Sequence, residues 1–144
     1  MAERARQTEP TEGFPDPRLE ELAERAVSSG AVFERALGRL EAGDAQGAAA
    51  DLLSIASLRE EDPYFHRTLG RAYLELDRPE PARERLERAV ELSPELPDAR
   101  VWLGTLLVAA GEPAAGRRHL ERALGELAGG DADRVLEQQA RAQL

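Results

Sequence analysis

The feature that most constrains this chain is its similarity to itself. Displaced by 34 positions, residues 63–96 fall on residues 97–130: Leu69-Gly70 meets Leu103-Gly104, Tyr73 meets Leu107, Ala82 meets Gly116, Leu86 meets Leu120 and Ala89 meets Ala123. The string Leu86-Glu87-Arg88-Ala89 recurs outright as Leu120-Glu121-Arg122-Ala123. Large residues return to large positions and small residues to small ones, so one packing solution is used twice. A period of this length is the mark of stacked supersecondary units, none of which can bury its apolar face alone. Small side chains at 70, 82, 89, 104, 116 and 123 allow two backbones to approach closely. A third, degenerate copy precedes these two. Gly43, Ala48, Leu52 and Ile55 keep the spacing of Gly111, Gly116, Leu120 and Ala123, and the stripe before them (Phe33, Ala36, Leu37, Leu40) fits after a slip of one residue.

The units are helical. Asp16-Pro17 reads as an N-cap followed by proline in the first turn, and Leu19, Leu22, Ala23, Ala26 and Val27 follow on one face. Ser28-Ser29-Gly30 is expected to close that helix, and Gly43 to end the next in a left-handed cap. Asp44 caps a helix that buries Ala45, Ala48, Leu52, Ile55 and Ala56. Asp62-Pro63, Pro79, Pro97 and Pro113 open four more helices, and Gly129-Gly130 precedes a last one from Asp131, with Val135, Leu136 and Ala140 inward. No segment alternates with period two, so strands are not expected. The expectation is an all-α fold of about three stacked helix pairs. Residues 1–16 form a disordered tail and residues 17–144 the helical domain. Its repeats are 29–62, 63–96 and 97–130, with capping helices at 17–28 and 131–144.

Composition removes several kinds of activity. The net charge is −9 and all 19 basic residues are arginine, so nucleic acid and anionic membrane surfaces are not expected partners. Lacking lysine and cysteine, the chain has no Schiff-base lysine, phosphate-loop lysine, thiolate nucleophile or cysteine-based zinc site. No apolar run is long enough to span a bilayer and the N-terminus lacks a signal-peptide core, which makes the cytoplasm the expected compartment. His66 and His119 lie in different repeats, and Glu60-Glu61-Asp62 reads as a helix N-cap rather than a ligand cluster. No catalytic, cofactor or metal site is assigned.

With Leu69, Gly70, Tyr73, Ala82, Leu86, Ala89 and Pro94 at their mutual offsets, residues 63–96 resemble the tetratricopeptide repeat family. His66 stands where that family often has Trp. Residues 97–130 follow the pattern with Leu107 for the aromatic and Ala128 for the Pro. The resemblance implies a right-handed α-α superhelix of about three such helix pairs, in which the first helices of successive repeats line a concave groove. By position that lining is Tyr64, Arg67, Thr68, Arg71 and Leu74 in the middle repeat, and Val101, Trp102, Thr105 and Val108 in the last. Trp102, the single Trp, reads either as a ligand anchor or as packing between helices. Arg67 and Arg71 share a helix face, either to receive a carboxylate jointly or to pair with Glu75 and its neighbours. The family's carboxylate-clamp subgroup has Lys and Asn at the matching places, and this chain has neither. The implied function is a non-catalytic adaptor or scaffold holding a peptide or helix of another protein. Two alternatives stand beside it. One is a chaperone for an export substrate, since the Gly43, Ala48 and Asp62-Pro63-Tyr64 segment broadly resembles small bacterial three-repeat proteins of that kind. The other is a self-associating assembly module, in which the partner is a second copy.

Overall fold

A computed structural model of the chain describes residue 13, residues 16–127 and residues 129–144. The tail expected over residues 1–16 lies outside these apart from positions 13 and 16, and Ala128 lies outside them as well. Among the described residues there are seven α-helices and no strand: α1 (Pro17–Glu41), α2 (Ala45–Ser54), α3 (Pro63–Glu75), α4 (Pro79–Leu92), α5 (Pro97–Ala109), α6 (Pro113–Glu126) and α7 (Asp131–Ala142), with a 3-10 turn at Ala56–Leu58.

The period of the sequence is carried into the backbone. Helices α2, α4 and α6 start at 45, 79 and 113, and α3, α5 and α7 at 63, 97 and 131, each 34 residues after the last (79 − 45, 113 − 79, 97 − 63, 131 − 97). Local chemistry sets these starts. Asp62 accepts from the backbone N–H groups of Tyr64 and Phe65, Asp44 from Gly47, and Asp16 from Arg18. Proline occupies the first turn of α1, α3, α4, α5 and α6, where its missing N–H costs nothing. The ends are set alike. Gly43, Asp77 and Gly111, again 34 apart, all take positive φ (83°, 54° and 82°). The following residue bonds back across the turn each time: Asp44 N–H to Arg39 O at 2.8 Å, Arg78 to Tyr73 at 2.9 Å and Glu112 to Leu107 at 2.8 Å.

Each α-hairpin (α1–α2, α3–α4, α5–α6) packs most closely within itself and then stacks on the next, α2 on α3 and α4 on α5, while α7 closes the stack against α5 and α6. Phe65, Leu52, Leu69, Leu86, Leu103, Leu120 and Val101 are the largest fully buried side chains. Asp51, buried at the α1–α2 contact, accepts from Arg35 Nε and NH2 at 2.9 and 2.8 Å and lies 3.1 Å from Arg39 NH1. The Arg35 hydrogen bond holds the Asp51 carboxyl below its ordinary value against the opposing effect of burial. Its contribution to stability is therefore present above the unfolded carboxylate range and is lost as pH falls through the lower, folded value.

Two expectations are corrected. Ser28-Ser29-Gly30 does not end a helix, because α1 runs unbroken from Pro17 to Glu41. Position 29 is the expected repeat boundary, 34 residues before 63, but where 63 and 97 carry proline it carries Ser29, whose hydroxyl donates to Ala26 O at 2.8 Å inside the helix. The boundary shows in burial instead: residues 17–28 are exposed and Ser29 is the first buried position. There is thus no separate capping helix at 17–28. In α7, Ala140 is buried and Leu136 packs against the last core cluster, but Val135, expected inward, is 55% exposed.

Close approach differs between the hairpins. A Cβ on Gly70 would meet Leu86 Cδ2 and Cγ, both at 2.8 Å, but no backbone atom closer than Ala82 O at 3.5 Å. A Cβ on Gly104 would meet the backbone oxygen of Gly116 at 2.9 Å, and one on Gly116 the oxygen of Gly104 at 2.6 Å. Gly104→Ala and Gly116→Ala should each cost about 1–3 kcal/mol, with Gly70→Ala at or below the low end. Leu69→Ala and Leu103→Ala should each cost about 2–5 kcal/mol. Asp77→Gly removes left-handed strain and should gain roughly 0.5 kcal/mol. Urea unfolding of the six variants beside the parent checks the order.

Candidate functional site

Helices α3, α5 and α7 occupy equivalent places in the stack, and a cleft runs between them. Leu74 of α3 forms one wall, Trp102, Thr105, Leu106 and Ala109 of α5 the floor, and Gln139, Ala142 and Gln143 of α7 the other wall. It encloses about 360 Å³, within the usual size of small ligand and peptide-side-chain sites. Its lining holds no titratable side chain. Trp102 is half-buried, packed against the Leu103–Leu107 core on one side and facing the cleft on the other. The packing reading describes its inner side; its outer side leaves an aromatic surface open to the cleft. Thr105 turns its hydroxyl back to Val101 O at 2.8 Å, leaving its methyl group for the cleft.

The other positions named from the sequence divide. Tyr64 is 54% exposed on α3, and Arg67 lies over its ring at 5.1 Å. Arg67 also meets Asp98 at 3.3 Å, and Arg71 donates from Nε to Glu75 Oε1 at 3.1 Å. Both guanidiniums therefore have a carboxylate of this chain, and they do not converge on an open position. Val101 does not line the cleft. It is 1% exposed and packs with Leu120, Ala123 and Ala140, because α7 covers that side of α5. Thr68 is buried too, its hydroxyl spent on Tyr64 O at 2.7 Å. Val108 is half-buried in the same cluster as Val101.

The sequence reading missed the contribution of α7. Gln139, Ala142 and Gln143 are the 34-residue images of Thr105, Val108 and Ala109, so extending the period one step further identifies them. That step is hidden because α7 lacks the Leu-Gly pair: positions 137 and 138 are Glu and Gln.

A second, more open crevice of about 480 Å³ lies beside the N-terminal half of α1, between Leu22, Ala26 and Ser29 and the α2–α3 connection at Leu58, Arg59, Glu61 and Asp62. Leu19 and Leu22 continue the apolar stripe of α1 there at 65% and 55% exposure. His66 and His119 do not converge. Each is engaged by an arginine of its own hairpin. No group of three or more potential metal ligands is found among the described residues, and no described helix is long and apolar enough to cross a membrane.

Comparison with known structures places this architecture. The chaperone SycD of the Yersinia enterocolitica type III secretion system, solved with a peptide of the translocator YopD, superposes with a TM-score of 0.71 at 16% identity, over 80% of this chain and 88% of that one. The repeat domain of Arabidopsis OM64 gives 0.70 at 15% identity, over 83% and 99%. The first repeat domain of Spaghetti, bound to an HSP90 peptide, gives 0.66 at 16%, over 79% and 91%. At these identities the likeness is one of fold. No curated protein matches the sequence at a significant level. The tetratricopeptide repeat model matches residues 39–92 and 78–142, together most of the helical stack. The chain belongs to the tetratricopeptide repeat family.

Proposed function

We propose that this protein is a non-catalytic adaptor that holds a segment of a partner protein in the cleft between α3, α5 and α7. The observation that carries the reading is the half-buried Trp102 on the floor of an uncharged, largely apolar cleft whose walls come from three successive stacked helices. An exposed aromatic anchor in a concave apolar setting is the usual core of a protein-binding hot spot. The structural relatives that hold peptides support the same use of the scaffold.

The chemistry of the walls narrows the partner. The nearby arginines of α3 are neutralised by Asp98 and Glu75, so a peptide read mainly through its carboxylates finds no free guanidinium on that helix. The preferred segment presents one or two aliphatic or aromatic side chains to Trp102 and Leu74, with Gln139 and Gln143 available to its backbone or polar groups. The adaptor reading calls for no cofactor and no catalytic residue. The cytoplasm is the compartment this reading assumes. A chaperone that shields an apolar export substrate is the second reading, favoured by the exposed Leu19 and Leu22 on the helix that precedes the repeats. Self-association through the same stripe is the third, and light scattering separates it from the other two.

Partner segments are recovered by co-purification and then titrated against the pure protein. Binding should shift the Trp102 emission, and Trp102→Ala should weaken it about 10–30-fold with the helical circular dichroism unchanged. Equal binding by Trp102→Ala, with no change in emission, rejects the cleft as the site. In a second experiment, Glu75→Gln combined with Asp98→Asn releases Arg71 and Arg67. The variant should gain affinity for an acidic peptide, about 5–10-fold for the two freed cations, while the parent binds it weakly. The gain should fade in high salt.

A further inference from the structure

The two complete hairpins carry the same polar bridge with its residues exchanged. On α3, His66 lies with Nε2 2.9 Å from Glu60 O and Nδ1 3.5 Å from NH1 of Arg85 on α4. On α5, Arg100 donates from Nε to Pro94 O at 2.6 Å and from NH1 to Nδ1 of His119 on α6 at 3.0 Å. Arg100 is the 34-residue image of His66, Pro94 that of Glu60 and His119 that of Arg85. Histidine and arginine have traded places, and the connections are the same. Both inner residues are buried, 5% exposed for His66 and 6% for Arg100.

The bridge is selective for one form of the His119 imidazole. A guanidinium only donates, so Nδ1 of His119 accepts from Arg100 with its lone pair, which only the neutral ring offers there. In the first bridge Nε2 carries the proton and donates to Glu60 O.

We propose that this two-ended bridge positions the first turn of each inner helix against its outer partner, and that in the α5–α6 hairpin it holds only while His119 is neutral. Arg100 and His119 are then positioning residues for the Trp102 cleft, because Trp102 lies two residues beyond Arg100 in the same turn. The groups facing His119 are Arg100 from α5, Arg118 from α6 itself and Glu87 from α4. Arg100 in turn faces Arg122 and Glu126 of α6. Burial, then Arg100 and Arg118, push the His119 imidazole below its ordinary value, while Glu87 pulls the other way. As pH falls, the unfolded chain takes the proton first. The bridge therefore stabilises fully above the ordinary histidine range, and its contribution is lost as pH falls toward the lower, folded value.

The exchange supplies its own test, which needs no partner. Thermal unfolding and Trp102 emission are recorded from about pH 7.5 to about pH 5.5 for the parent, Arg100→His, His119→Arg, the double exchange and His119→Gln. Each single exchange should lower the melting temperature by about 3–6 °C at the higher pH, since one pairs two imidazoles and the other two guanidiniums. The double exchange should recover at least half of that loss, because it reproduces the order already present at 66 and 85. The parent should lose more stability across the pH range than His119→Gln, and its Trp102 emission should move before global unfolding. His66 is common to all five chains and cancels. A double exchange as unstable as the weaker single, or a His119→Gln profile parallel to the parent's, overturns the proposal. Either result leaves the cleft reading to its own experiments.

Discussion

The two complete hairpins depend on one steric allowance. In each complete hairpin, a leucine of the outer helix sits where the Cβ of an inner-helix residue would otherwise be: Leu86 over Gly70 and Leu120 over Gly104. An amphipathic helix of thirteen or fourteen residues gains little by itself in water. It becomes stable when its stripe is pressed into a neighbour, and glycine at the crossing lets both backbones come close enough for the leucines to be wholly enclosed. The last complete hairpin takes this further, with glycine on both sides of the crossing.

This allowance also explains why the architecture was legible in the residues. Leu-Gly pairs, alanines opposite leucines and prolines at helix starts are local signals, and they recur at one interval, so each repeat supports the reading of the next. The misreadings came where a local signal competed with its surroundings. Ser28-Ser29-Gly30 has the composition of a helix end, but Ser29 satisfies its hydroxyl on Ala26 O and the helix continues. Val101 carries the position of a groove residue, yet α7 lies over it. Period and propensity cannot show how far a terminal helix will lap over its neighbour. That is decided by packing against α5 and α6 together.

The candidate site was legible only in part for a related reason. The floor residues Trp102 and Thr105 follow from the repeat, as does Leu74 in one wall. The other wall does not, because α7 keeps the interval and discards the motif. The charged residues of α3 could be located but not interpreted from sequence alone: Arg67 reaches Asp98 across the hairpin boundary, a contact between residues 31 positions apart (98 − 67). By pairing Arg67 and Arg71 with its own carboxylates, this acidic chain leaves the cleft lined by uncharged side chains.

The unbroken passage of α1 through the repeat boundary has a mechanical consequence. A helix rises about 1.5 Å per residue, so the twelve exposed residues from Pro17 to Ser28 make a rod of roughly 18 Å fused to the first hairpin. A loop at position 29 would let that rod swivel; a continuous hydrogen-bonded ladder does not. Its bearing is inherited from Ala36 and Leu40, which are locked in the core. Anything gripping the rod's far end is held at a set distance and angle from the body, and a torque applied there is transmitted into the first hairpin.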